Sequence, residues 1–88
     1  MVLLRRVTSA DGAVVTGQMR VQQITYLSAL AADTVVIQDG AGNTVWQANG
    51  NAATGTQTFD FADGGGLFFP NGHKVSTLSA SDVLLIYG

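Results

Sequence analysis

The chain has 88 residues, a net charge of −2, 47% hydrophobic residues and only 11% Asp, Glu, Lys and Arg, against about 25% charged residues in an ordinary soluble domain. That length makes one domain with a thin stability margin; without cysteine there is no disulfide and no thiolate metal site, and a single histidine leaves a zinc site short of ligands. Four cations cannot build a groove that tracks phosphates, so a nucleic-acid partner is excluded. The apolar runs also fall far short of the ~20 residues of a membrane helix.

The first segment, "VLLRRVT" (2–8), reads as a strand or interaction arm, with Val2, Leu3 and Leu4 followed by Arg5 and Arg6. Adjacent strand residues point to opposite faces, so the two arginines do not form one patch; they are expected to meet solvent or a partner's carboxylates. The charges follow the apolar residues, the reverse of a secretory signal, which predicts a protein made and assembled in the cytoplasm. After "DG" at 11–12, "AVVTG" (13–17) reads as a second strand.

"MRVQQITYLSALAAD" (19–33) is ambiguous. Ile24, Leu27 and Leu30 have helical spacing, and its alanines favour helix. Yet Val21, Ile24, Thr25 and Tyr26 are β formers, no N-cap precedes them, and Ile24, Tyr26, Ser28 and Leu30 alternate as one strand face. A long strand ending in an alanine-rich loop is the reading adopted.

"TVVIQDGAGNTVWQA" (34–48) reads as a hairpin. A three-residue loop, Gly40-Ala41-Gly42, would set Ile37 opposite Val45 and Val36 opposite Trp46, with Gly42 supplying the left-handed residue. The calcium alternative needs several carboxylates and has only Asp39; a phosphate loop needs a following helix, and a strand follows. Trp46 is expected in the core or a subunit interface, with stacking on a sugar as the alternative.

Turn signals at 49–51 and 54–55 precede "TQTFDF" (56–61), which puts Phe59 and Phe61 on one face and Thr58 and Asp60 on the other. "ADGGGLFFPNG" (62–72) reads as a reversal that sends Leu67, Phe68 and Phe69 into the other sheet, closed by a Phe69-Pro70-Asn71-Gly72 turn. No phosphate-loop context accompanies its glycines. His73 reads as a solvated loop residue beside "KVSTLS" (74–79), because no nucleophile elbow frames Ser76, Ser79 or Ser81. The aspartates at 11, 39, 60, 63 and 82 lie in or beside turns, where they cap backbone amides.

"DVLLIYG" (82–88) is apolar on both faces, Val83, Leu85 and Tyr87 against Leu84 and Ile86. Such a strand is central, with its second face covered by something; another subunit is the expected cover, with Leu84 and Ile86 as candidate interface residues. Short strands at intervals of about 8–12 residues mark a sandwich or barrel. The prediction is an all-β fold, one small antiparallel β-sandwich of about eight strands, jelly-roll-like. The scarcity of charge points to a homo-oligomer, although a monomer clothed in neutral Thr, Ser and Asn is the alternative.

In order, the "VTG" segment, the Tyr-containing strand, "TVxIxDGxGxTVW", "FxFxxGGGLxFxNG" and the closing "IYG" resemble the small β-sandwich virion proteins of tailed bacteriophages, including cyanophages. The resemblance covers almost the whole chain. It implies a capsid decoration (cement) or tail-associated protein, often a homotrimer, sited on the virion with the major capsid protein as partner. It carries no catalytic motif and no cofactor. Where the family has Gly-Leu after its last "NG", this chain has His73-Lys74. Deleting residues 1–6 is then expected to loosen attachment to the shell without unfolding the protein. The candidate interface is Val2, Leu3, Leu4, Arg5, Arg6, Trp46, Leu84 and Ile86; a carbohydrate-binding sandwich using Trp46, Tyr26 and Tyr87 is the competing class.

Overall fold

Period-two alternation of apolar and polar residues, cut by glycine-rich turns, produces strands with one face inward. The computed structural model describes residues 1–51 and 55–88, so the predicted turn at 54–55 lies partly outside the described residues. In chain order the strands are β1 (Leu3–Val7), β2 (Met19–Val21), β3 (Gln23–Leu27), β4 (Thr34–Asp39), β5 (Thr44–Asn49), β6 (Thr56–Asp60), β7 (Leu67–Phe69), β8 (His73–Leu78) and β9 (Val83–Tyr87). A 3₁₀ turn, Ala62–Gly64, leads from β6 toward β7.

All pairings are antiparallel. One layer has the order β1-β9-β3-β6 and a second has β5-β4-β8, with β2 and β7 paired beside it. An isolated bridge joins Val15 to His73, in phase with the Met19–Phe69 to Val21–Leu67 ladder. β7 and β8 therefore act as one long strand, interrupted by the turn at Pro70-Asn71. Two layers of four result, β1-β9-β3-β6 over β2-β7/β8-β4-β5, which is a small jelly-roll sandwich.

The inner faces meet in one core. Ile24 and Tyr26 of β3, Val35 and Ile37 of β4, and Leu84 and Ile86 of β9 are all fully buried there. This reverses the expectation for β9. It is central as predicted, but Leu84 and Ile86 lie inside the chain's own core and form no subunit interface; Val83, Leu85 and Tyr87 face outward, half-buried.

The long strand expected from residue 19 is divided. It bends at Gln22, so that β2 pairs with β7 in one layer while β3 pairs with β6 and β9 in the other. The bend is tied in place, with Gln22 N donating to Tyr87 O and Phe61 N to Gln22 O, both at 2.8 Å. Ser28 stays buried as the alternation implied, but Leu30 is 64% exposed, because Asp33 accepts from the Leu30 amide at 2.9 Å and turns the chain. "AVVTG" is not a strand; the Val15 bridge is its sole ladder contact.

The β4–β5 hairpin forms with its three-residue loop, and Gly42 takes φ +88°. Asp39 Oδ1 accepts from the Ala41 and Asn43 amides at 2.9 and 3.0 Å. The register differs from expectation: Gln38 pairs with Thr44 and Ile37 with Trp46, leaving Val45 in a bulge. That extra residue turns Trp46 inward. The Pro70-Asn71 turn forms as expected, and Gly72 has φ +94°.

One buried polar contact fastens the far end of the core. Tyr26 Oη donates to Asp82 Oδ2 at 2.6 Å, and Asp82 Oδ1 accepts from the Ala29 amide at 2.8 Å. Burial, then the neighbouring Asp82 carboxylate, raises the Tyr26 pKa and keeps the phenol a donor. Tyr26→Phe is expected to destabilise the fold by about 1–3 kcal/mol, since it strands one oxygen of a buried carboxylate. Urea unfolding followed by circular dichroism would measure it, with an unchanged m-value.

Candidate functional site

A two-layer sandwich has two open sides, and this one closes them differently. On the β5/β6 side, Trp46 meets Phe59 and Phe61 edge-on, at centroid distances of 5.1 and 6.3 Å. Gln57 Nε2 also reaches across to Asn49 O at 2.6 Å. The side is sealed by aromatic packing, and Trp46 is largely committed to the chain's own interior.

The β1/β2 side is closed by a polar cluster and left grooved. The β1–β9 register slips between Leu3 and Arg5, so Leu4 occupies a bulge, a device that re-aims side chains. Leu4 and Arg5 then line a cleft of about 460 Å³ with Val15, Met19, Arg20 and His73. At its base Arg5 Nη1 donates to Asp11 Oδ2 at 2.9 Å, and Nη2 donates to Asp11 Oδ1. The same Nη1 lies 2.9 Å from His73 Nε2.

His73 is not the solvated loop residue expected. It opens β8, is 3% exposed, and exchanges backbone hydrogen bonds with Val15 at 2.8 and 3.0 Å. Guanidinium has no acceptor, so the Arg5 contact requires Nε2 to be the unprotonated nitrogen of a neutral ring. Asp11 is fixed from three directions: its carboxylate takes Arg5 and the Val75 amide at 2.9 Å, and its own amide donates to Val75 O at 2.8 Å. Arg5 is therefore paired within the chain, whereas Arg6 stays exposed on the opposite face of β1.

The electrostatics follow. Asp11 is held below its usual range chiefly by the Arg5 hydrogen bond, with burial opposing and the Val75 amide assisting. His73 is held below 6.5, first by burial and then by the Arg5 charge, with Asp11 opposing. The arrangement is a fastening and is poorly suited to proton transfer: the carboxylate orients the arginine, and the histidine's accepting nitrogen is occupied. Ser79 Oγ accepts from the Thr34 amide at 3.1 Å, away from this cluster. Arg20, at the mouth, stacks over the Phe68 ring at 4.5 Å and donates to Gly65 O at 2.7 Å.

Around the cleft the surface is apolar. Met1 and Val2 are 73% and 65% exposed, and Leu3, Leu4, Val14 and Val15 are all open to solvent. Of the sequence-predicted interface residues, Val2, Leu3 and Leu4 gather here, Arg5 turns inward beneath them, and Trp46, Leu84 and Ile86 lie elsewhere. The predicted arm is a strand: Leu3–Val7 pairs with β9, and Val2 and Gly88 exchange two backbone hydrogen bonds at 2.8 Å. The Arg5–Asp11–His73 cluster escaped sequence reasoning because His73 stands 68 positions from Arg5 and no local motif links them.

The class of protein this architecture defines is a small jelly roll with an apolar, grooved open side. No family model, curated protein or solved structure matches the chain.

The cluster predicts an acid response of fixed sign. A histidine whose folded pKa is depressed contributes stability that is present above 6.5 and lost as pH falls through the folded value. The urea midpoint should therefore decline from pH ~7 toward ~5. His73→Gln, which keeps an acceptor for Arg5, should flatten that limb. The decline below 3.8 from Asp11 should persist in the variant.

Proposed function

We propose that this chain is a non-enzymatic structural protein of a bacteriophage virion, a decoration protein that attaches to the capsid exterior and stabilises neighbouring major capsid subunits. The observation that carries the reading is the apolar end built from Met1 to Leu4 and Val14–Val15 around the open side of the sandwich. Fully burying an exposed side chain of this size is worth about 1.5–3 kcal/mol; these six are 37–73% exposed, so each contributes a part of that and together they make a modest site. Repetition across a shell converts modest sites into firm attachment.

Three further points support it. The strand and turn pattern resembles virion β-sandwich proteins. Jelly rolls recur in capsids as well as in lectins, although a fold alone does not fix a function. The ionisable residues at the cleft are arranged as a structural clasp with no nucleophile at its accepting nitrogen. The carbohydrate-binding alternative is weakened by the placement of its aromatics: Tyr26 is fully buried, and Trp46 packs edge-on to two phenylalanines.

The attachment end is also the edge strand, so deleting residues 1–6 would remove most of β1 and expose β9. Point changes separate the two roles. Val2→Asp with Leu4→Asp is expected to leave the circular dichroism spectrum intact while lowering occupancy on capsids stripped of this protein at least about tenfold. Full occupancy by the variant, or electron microscopy placing the chain in the tail, would overturn the assignment.

A further inference from the structure

The two outer faces of the sandwich differ. The outer face of β5-β4-β8 is largely polar, carrying Thr34, Gln38, Gln47, Asn49, Lys74 and Thr77 around Val36 and Val45. The outer face of β1-β9-β3-β6 is not. Its pairing places Leu3 beside Tyr87 and Gln23, Arg6 beside Leu85 and Thr25, and Val83 beside Leu27. A half-buried apolar strip thus runs down β9 through Tyr87, Leu85 and Val83, with Leu3 and Leu27 beside it, while β6 presents Thr56, Thr58 and Asp60. At one edge of that strip stands Arg6 on β1; at the other stands Asp60 on β6, and both are exposed.

We propose that two copies of this chain pair face to face through the outer surface of the β1-β9-β3-β6 layer, about a two-fold axis parallel to the strands. Such an axis lays β1 of each copy over β6 of the other. Val83 then meets Leu27 of the second copy and Leu85 meets the Thr25 methyl. Arg6 then lies over Thr58 of the second copy, two residues or about 7 Å along the strand from Asp60, and its long side chain can reach that carboxylate across sheets about 10 Å apart. An isologous contact needs a self-complementary patch, and opposite charges at opposite edges of an apolar strip provide one. Within a single chain the same charges lie about three strand spacings apart, on the order of 14 Å, too far to pair. The arrangement favours a two-fold pair over the trimer that the family resemblance implied. It does not depend on the virion reading, because it shares only Leu3 with the apolar end and is measured without capsids.

Sedimentation equilibrium of the full chain tests it. The expected species has twice the mass of one chain. Leu85→Asp should yield a folded monomer. Arg6→Asp and Asp60→Arg should each weaken pairing about tenfold by bringing like charges near one another across the contact. The double variant Arg6→Asp/Asp60→Arg should recover to within about threefold of the parent. Circular dichroism checks each variant's fold, since Asp60 also holds the Ala62 amide at 2.9 Å. A monomeric parent, a Leu85→Asp protein that still pairs, or a double variant no tighter than the singles would overturn the proposal.

Discussion

Closing the open sides of a two-layer sandwich is the constraint from which the rest of this structure follows. Two short four-strand layers bury each other's inner faces readily, but at each lateral margin the core would otherwise meet water. The chain meets this with hydrophobic bulk on one side, where the bulge at Val45 swings Trp46 onto Phe59 and Phe61. On the other it uses the Arg5–Asp11–His73 cluster, which pins β1, the 8–18 loop and β8 to one another. The aromatic side is a seal. The polar side leaves a groove above it, and exposed apolar side chains collect there because that is where the sandwich is incompletely filled.

Much of this was legible in the residues. Period-two alternation identified β3 and β6, β-branched and apolar runs identified β4 and β9, and the turn chemistry of "DGAGN" and "PNG" placed the reversals, including the positive φ at Gly42 and Gly72. Most of the misreadings turn on partners distant in sequence; the hairpin register is a local exception. Ile37 faces Trp46 instead of Val45 because a bulge shifts the register, and a bulge leaves no local signature in "TVWQA". Residues 19–27 look like one strand because nothing in "RVQQI" announces that the chain changes layer at Gln22. His73 looks solvated because its burial is created by Arg5, Asp11 and Val15, all far away in sequence. The faces of β9 could not be assigned either, since a strand apolar on both sides is symmetric to any pattern argument.

The structure also sharpens what the low charge means. The sequence has four cations and six aspartates, and the fold withdraws Arg5, Asp11, Asp33 and Asp82 from the solvating surface while tying others to their own turns. Arg5 and Asp11 are paired at the base of the cleft. Asp82 and Asp33 are buried against backbone amides, while Asp39 and Asp60 cap their own turns. Arg20 lies over Phe68. The exterior is therefore kept in water mainly by Thr, Gln, Asn and Ser, and those residues are unevenly distributed. The β5-β4-β8 face is well supplied with them, whereas the β9 strip and the Met1–Leu4 end are not.

That unevenness bears on function more directly than total composition does. A uniformly neutral surface would suit a monomer that tolerates few charges. A surface divided into one wet face, one apolar strip flanked by opposite charges and one apolar end suits a part with defined neighbours. Exposed apolar patches on small domains commonly mark contact sites; here the exposed one is the Met1–Leu4 end, and the half-buried β9 strip adjoins it at Leu3. A protein whose strip meets its own copy and whose apolar end meets a shell would join at two places without rearranging. Its acids and bases would then act mainly in holding its loops and setting the register of its contacts.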